Sequence, residues 1–422
     1  MSTQQAVVTA KTEGGVPAVD PTLKGHVRQY VQRLRGGEMG ALPAVIGLAV
    51  LCVVFSVMRP TFTSEQNFAN LFTQGAAVIV IAMGLVFVLL LGEIDLSAGF
   101  TSGVCAAVMA VTLTSWGWPW YVSVLLALVT GTVIGLFLGT LVSKVGIPSF
   151  VVTLAAFLAF QGVVLIMISG GKIISVTDPV IIAVANKNLP PWLGWLLLVV
   201  GVGGYAALQV NRALGRKKRG LAAEPFSVIG ARVGALALIG GAAVFVLNLE
   251  RSRNTLITSL KGVPIVVPIV VVLLLLWTFV LQRTAFGRHL YAVGGNAEAA
   301  RRAGISVDRI RITAFMISST MAAVGGIVAA SRLQSVDPNT GGSNVLLYAV
   351  GAAVIGGTSL FGGKGRVLDA VLGGAVIAVI DNGMGLLGYS AGVKYVVTGA
   401  VLLLAAGIDA LSRKRAAAAG LR

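Results

Sequence analysis

The sequence predicts an all-α polytopic membrane protein, a bundle of ten to twelve transmembrane helices between polar tails. Three observations predict it. Of 422 residues, 56% are hydrophobic and only 11% charged, against roughly 25% charged in a soluble chain. Such a chain lacks the polar surface to cover a water-facing globule, so lipid must be the solvent for much of it. Apolar runs of about 20 residues, the length that crosses ~30 Å of hydrocarbon, recur along the chain. The third observation is how positive charge is divided between those runs.

In chain order the candidate spans fall near 41–58, 75–91, 98–115, 119–142, 150–169 and 191–208. Six more follow near 226–247, 264–281, 313–331, 345–361, 367–381 and 395–412. The runs at 345–361 and 367–381 are short or interrupted by glycine, so ten crossings with re-entrant pieces fit as well as twelve. With all twelve crossing from a cytoplasmic N-terminus, 24 Lys and Arg lie inside and 8 outside. The positive-inside rule therefore predicts that both termini are cytoplasmic. It also explains the net charge of +17 as topology. A nucleic-acid surface would need a soluble basic face instead. The chain then divides into a cytoplasmic tail over 1–40, a membrane domain over 41–412 and a cytoplasmic tail over 413–422. The pair of runs within 191–247 reads as an insertion. Its outer loop carries Arg251, Arg253 and Lys261 against the charge pattern, which leaves two full crossings over 191–262 open.

Glycine is abundant, with 54 residues, as suits close packing of helices in a bilayer. Gly131, Gly135 and Gly139 make two overlapping GxxxG steps on one helix face. Packing within one subunit is the favoured reading over a dimer seam. Cys52 and Cys105 sit in apolar runs, and His26 and His289 are isolated, so no metal site or disulfide framework is expected. The first forty residues are polar and basic, with no cleavable signal evident.

Three segments carry chemistry. Gly92-Glu93-Ile94-Asp95-Leu96-Ser97-Ala98-Gly99 places two carboxylates between apolar runs. Ionisable groups there mark a pathway, a partner or a broken helix. Asp95 or Ser97 could cap a helix beginning near Ala98, and a turn with solvated carboxylates fits equally. In the loop 283–312, Asn296 is a good N-cap, Ala297 to Ala303 form helix well, and Gly304 is a stop. A helix of about two turns is expected along the membrane surface. Its small alanine face suits a protein socket better than a lipid anchor. The third segment, Gly356-Gly357-Thr358-Ser359-Leu360-Phe361-Gly362-Gly363-Lys364-Gly365-Arg366, fails as a phosphate-binding loop. Gly365 stands where Ser or Thr must follow the lysine, and no strand precedes it. Hence no ATPase is expected within this chain.

Together these runs resemble the signature of ABC permeases for ribose, xylose, arabinose and galactose. Gly92-Glu93-Ile94-Asp95-Leu96-Ser97-Ala98-Gly99 looks like that family's Gly-x-Ile-Asp-Leu-Ser-x-Gly, and Gly294-Gly295-Asn296 through Ala299-Ala300 to Gly304-Ile305 its coupling segment. Gly356-Gly357 and Gly362-Gly363-Lys364-Gly365 are similar to its third hallmark. Asn67-Phe68-Ala69-Asn70-Leu71 and Lys144-Val145-Gly146-Ile147-Pro148-Ser149-Phe150 also fit, and the likeness spans about 60–410. Glu93, where glycine is commoner, and the added helix pair point to the xylose type.

The resemblance implies alternating access between two permease protomers, a homodimer favoured, in a bacterial cytoplasmic membrane. ATPase subunits holding ATP and Mg would dock on Gly295, Asn296, Glu298, Ala299, Ala300, Arg301 and Gly304, with a sugar-binding protein at the opposite face. No cofactor is expected on this chain itself, and membrane lipid surrounds it. By resemblance and position Gln74, Thr153, Gln161, Ser318 and Asn382 line the path. An ABC permease for branched-chain amino acids or nucleosides is the nearest alternative. An ion-coupled carrier would show an internal repeat and a buried mid-depth acid, and neither is evident. A membrane enzyme would need a ligand cluster that the sequence lacks.

Overall fold

The structure, a computed structural model, describes residues 40–168, 171–221, 224–252 and 259–418. The tail expected over 1–40 lies outside the described residues save for Gly40, as do His26, Arg253 and 419–422. Each of the twelve apolar runs is a helix. They are α1 Leu42–Met58, α2 Glu65–Leu90, α3 Ala98–Ala110, α4 Trp120–Thr140, α5 Ser149–Met167, α7 Pro191–Lys218 and α8 Phe226–Asn248. α9 Val266–Arg283, α12 Val307–Leu333, α13 Ser343–Gly356, α14 Val367–Leu386 and α15 Ala391–Ala418 complete the set. Three shorter helices, α6 Pro179–Asn186, α10 Ala285–Gly295 and α11 Ala297–Arg302, join them. Among the described residues, nine helices are long and apolar enough to cross a membrane, with α3 counted through its final π-helical turn to Ser115. The chain is a multi-pass membrane protein. Two-residue strands Ile174–Ser175 and Ser335–Val336 pair antiparallel at one end of the bundle.

Two halves interlock at the centre. α2 and α12 lie antiparallel, with Gly84 against Ser318 and Met321 and Gly325 against Ile81 and Ala77. Each ends in a left-handed residue, Gly92 at φ +74° and Gln334 at φ +53°. The chain then turns back into the bundle and starts a second helix, α3 or α13. The two returning stretches align without a gap, Leu91-Gly92-Glu93-Ile94-Asp95-Leu96-Ser97-Ala98-Gly99 against Leu333-Gln334-Ser335-Val336-Asp337-Pro338-Asn339-Thr340-Gly341. In both, the aspartate accepts the backbone N–H two residues on, from Ser97 at 3.0 Å and Asn339 at 2.8 Å. Gly99 and Gly341 meet where the stretches cross, and a Cβ on either would overlap the other's carbonyl oxygen. α4 packs antiparallel on α12, as α14 packs antiparallel on α2.

This arrangement is an inverted repeat, which is not legible in the sequence as a collinear one. Few residues outside the two turns carry it, because lipid-facing and core-facing positions accept almost any apolar side chain. Asp95 meets Ser318, the twelfth residue of α12, so α3 begins about 16 Å into the bundle at 1.5 Å per residue. α13, with 14 residues, reaches only about 21 Å. The run at 345–361 therefore crosses only together with the returning stretch before it, ending at Gly356 against Asp369, while α14, with 20 residues, is long enough to cross alone. Non-helical backbone at such depth persists only inside protein, and both returning stretches lie there.

The GxxxG face of α4 is spent inside the subunit: Gly131 packs on Ser319, Gly135 on Phe315 and Gly139 on Ile312. α7 and α8 form the expected inserted hairpin. They pack chiefly on each other and touch α2 through a small cluster of Ala69, Val244, Leu247 and Val263. Most of their surface is left for lipid.

Candidate functional site

The signature turn is enclosed within the bundle. Asp95 is 1% exposed, which corrects the reading of a solvated carboxylate turn. One carboxylate oxygen accepts from the Ser97 backbone and hydroxyl at 3.0 and 2.6 Å, and the other accepts from the Ser318 hydroxyl at 2.9 Å. Burying an ionisable group costs far more than burying a hydroxyl unless it is fully hydrogen-bonded. The turn's peptide groups are satisfied as well. Ser149 Oγ accepts from Ile94 N, and Thr153 Oγ donates to Ile94 O at 3.1 Å. Ser97 makes no cap of its own. Glu93 points elsewhere and pairs with Arg311 of α12 at 3.1 Å.

The loop at 283–312 folds into two helices where one was expected. α10 is capped by Thr284, whose hydroxyl accepts from Gly287 N, and packs Leu290 and Val293 into the core. α11 is the expected short helix: Asn296 Oδ1 accepts from Ala299 N at 2.9 Å, and Gly304 ends it at φ +83°. Its first turn carries Glu298, which pairs with Arg301 and Arg302 on the exposed face. Ala299 is exposed, whereas Ala300 is buried against this chain's own core. The small face is therefore divided, and Ala300 is already occupied.

The three glycine motifs converge on one junction. Gly294, at the end of α10, sits so close to the Leu90 carbonyl that a Cβ there would overlap it. That same carbonyl accepts from Gly363 N at 2.8 Å. A Cβ on Gly362 would stand 2.8 Å from the Gly294 carbonyl oxygen and 2.9 Å from Gly92 N. Tyr291 of α10 adds a hydrogen bond to the Gly365 carbonyl at 2.7 Å. Burial, with Asp369 nearby, pushes its phenol above the ordinary range, so it remains a donor at neutral pH. Behind the junction, Gly356 packs on the Asp369 carbonyl, and Asp369 caps α14 together with Arg366. Lys364 is exposed and Gly357 packs on Gly40. The helices on either side of α11 thus meet the signature turn at two points, Gly294 of α10 against Leu90 and Arg311 of α12 against Glu93.

The residues assigned to the path separate into two groups. Thr153 and Ser318 are fully buried; Ser318 donates to Asp95, and Thr153 shares its hydroxyl proton between Ser149 O of its own helix at 2.8 Å and Ile94 O of the turn at 3.1 Å. Gln74 and Asn382 meet at 3.2 Å toward the opposite end of the bundle. Gln161, half-buried on α5, joins neither group. Sequence reasoning missed Arg311, Tyr291 and Asp381. Asp381 was legible as an acid inside an apolar helix, but the span read as 367–381 stops at it, whereas α14 continues to Leu386. Arg311 and Tyr291 carry no such signal, since basic and aromatic residues are ordinary at a membrane boundary.

A family model described as branched-chain amino acid transport system / permease component matches residues 67–406. The xylose transport system permease protein of Escherichia coli K12 is 37% identical over 355 residues, covering 84% of this chain and 87% of that one. The xylose permease of Haemophilus influenzae is 33% identical across 91% of this chain and 99% of its own. The ribose import permease of Escherichia coli K12 is 28% identical across 87% and 92%. No solved structure matches the chain. With its glycine motifs gathered into one junction beneath a buried signature turn, the chain belongs to the ABC-importer permease family that includes these xylose and ribose permeases.

Proposed function

We propose that the chain carries a monosaccharide, a pentose such as xylose favoured, through a bacterial cytoplasmic membrane by alternating access. As a permease component it is a transporter part and not a catalytic subunit. ATP and Mg belong to cytoplasmic ATPase subunits that dock on α11, contacting Asn296, Glu298, Ala299 and Arg301, while Gly295, which closes α10, stays outside that contact. Both termini face the same cytoplasmic side, a second copy of the chain completes the path, and a sugar-binding protein delivers at the far end. The observation that carries this reading is the junction, which ties the exposed α11 to the turn holding Asp95. A displacement of α11 by the ATPase then shifts the turn as a rigid unit and repacks the crossed segments. Thr153 and Ser318 act as positioning groups for that turn.

An ion-coupled carrier is the reading to separate from this one, because the inverted repeat and the buried Asp95 are features it would share. The family and the exposed, capped α11 favour the ATP-driven importer. The family description also leaves an amino-acid cargo as a second reading. Replacing Ala299 with Arg in the assembled importer tests the docking, since Ala299 is exposed whereas Ala300 is not. Loss of both xylose uptake and stimulated ATP hydrolysis is expected. Uptake that persists without ATPase subunits and follows a proton gradient would sink the proposal, and uptake of leucine instead of xylose would replace the cargo.

A further inference from the structure

Toward the end of the bundle opposite α11, a chain of polar side chains joins three helices, with side chains of two more close by. Asn67 of α2 and Asn382 of α14 exchange amide hydrogen bonds, both at 2.9 Å. Asn382 also donates to the Gln74 carbonyl at 3.2 Å, and the Gln74 amide donates to Asp381 at 2.5 Å. Lys394 of α15 reaches the other Asp381 oxygen at 3.4 Å. Arg332, at the end of α12, lies within electrostatic reach of the same carboxylate. Tyr348 of α13 does too, and neighbouring Tyr395 accepts from Asn344. Asp381 stands about 21 Å along α14 from Val367, within the membrane-spanning part.

The two ends of this chain differ. Asn67 and Asn382 are buried and satisfy each other, which is bracing. Asp381 and Lys394 keep 30% and 23% of their side-chain surface exposed, and both carboxylate oxygens retain unused lone pairs. A charged residue inside a membrane bundle that stays accessible marks a route for polar cargo. Arg332 also lines a cavity of about 360 Å³, together with Gln66, Asn70, Thr73, Asn186 and Arg251. That size is within the ~300–1,000 Å³ of small-molecule sites. The lining adds Arg251 and Arg332 and no acid of its own; Arg251 gives its guanidinium to the Leu247 and Gly262 carbonyls, and Arg332 faces the Asp381–Lys394 pair. An uncharged polyol suits such a set: it can add hydrogen bonds to Asp381, Gln74 and Lys394 without separating the ion pair.

We propose that Asp381, with Gln74, Lys394 and Arg332, forms a monosaccharide hydroxyl-binding subsite between this cavity and the centre of the bundle. The proposal rests on the sugar-importer reading above. The test uses the assembled importer, with its ATPase and binding protein, in proteoliposomes supplied with xylose and with a deoxy analogue lacking one hydroxyl. The unsubstituted protein must first show ATP-driven xylose uptake. If it does not, the importer reading fails before the subsite is at issue. With Asp381→Asn, xylose uptake per ATP hydrolysed should fall about tenfold, the scale of one lost charge-assisted hydrogen bond. ATP hydrolysis stimulated by the loaded binding protein should stay within about twofold, and the preference for xylose over the deoxy analogue should shrink. Gln74→Ala should do the same more weakly, which keeps the test decisive if Asp381→Asn does not assemble. Parallel loss of uptake and stimulated hydrolysis in assembled variants would show that the network only braces α14. Unchanged uptake and preference would remove sugar from the site.

Discussion

The two returning stretches, 91–97 and 334–340, have the same backbone plan and opposite chemistry. In the first, Asp95 is sealed, bonded to Ser97 and Ser318, and flanked by the Glu93–Arg311 pair. In the second, Asp337 is half-buried and bonds only locally, to Asn339 and Thr340, with Pro338 stiffening the turn. The first turn is welded to its surroundings by distant residues. The second is held at Asp337 by its own loop and at Ser335–Val336 by strand pairing to Ile174–Ser175. An inverted repeat therefore supplies a scaffold whose halves differ, one sealed around Asp95 beside the glycine junction and the other crossing it at Gly99 and Gly341.

Removing the aspartate from each turn sharpens that contrast most. Asp95→Ala leaves Ser97 and Ser318 hydroxyls buried without their acceptor, at about 1–3 kcal/mol for each orphaned group. Asp337→Ala breaks a partly exposed local turn and should cost about 1 kcal/mol. Detergent unfolding of the purified protein measures both. Equal losses would mean that the first turn is no more tightly anchored than the second. A smaller effect is expected at Glu93 and Arg311, whose side chains are 15% and 26% exposed. A double-mutant cycle with Glu93→Gln and Arg311→Gln should give a coupling of about 0.5–1 kcal/mol that weakens with salt. A coupling of zero would leave the glycine contacts at Gly294, Gly362 and Gly363 to join this loop to the turn.

The helical architecture was legible because span length and charge asymmetry are set by the bilayer itself. All twelve apolar runs became helices, and the Asn296 cap and Gly304 stop of α11 stand where the residue types demanded. The burial of Asp95 was not legible. Its decisive partner, Ser318, lies more than two hundred residues away, and serine within an apolar helix announces nothing. The repeat was hidden for a related reason. Leu91 to Gly99 and Leu333 to Gly341 share only a leucine, an aspartate and a glycine, with Ile94 matching Val336 and Ser97 matching Asn339. The left-handed turn after α12 uses Gln334 where α2 uses Gly92, so the most visible marker of the first copy is absent from the second.

Adjacent glycines provide the most direct test of the junction. A Cβ at Gly294 would overlap the Leu90 carbonyl, whereas a Cβ at Gly295 meets nothing within 4 Å. In the assembled importer, Gly294→Ala should abolish coupled uptake while the protein still reaches the membrane, and Gly295→Ala should transport nearly as the unsubstituted protein does. If Gly294→Ala and Gly295→Ala transport equally well, the three glycine motifs do not form the link between α11 and the signature turn.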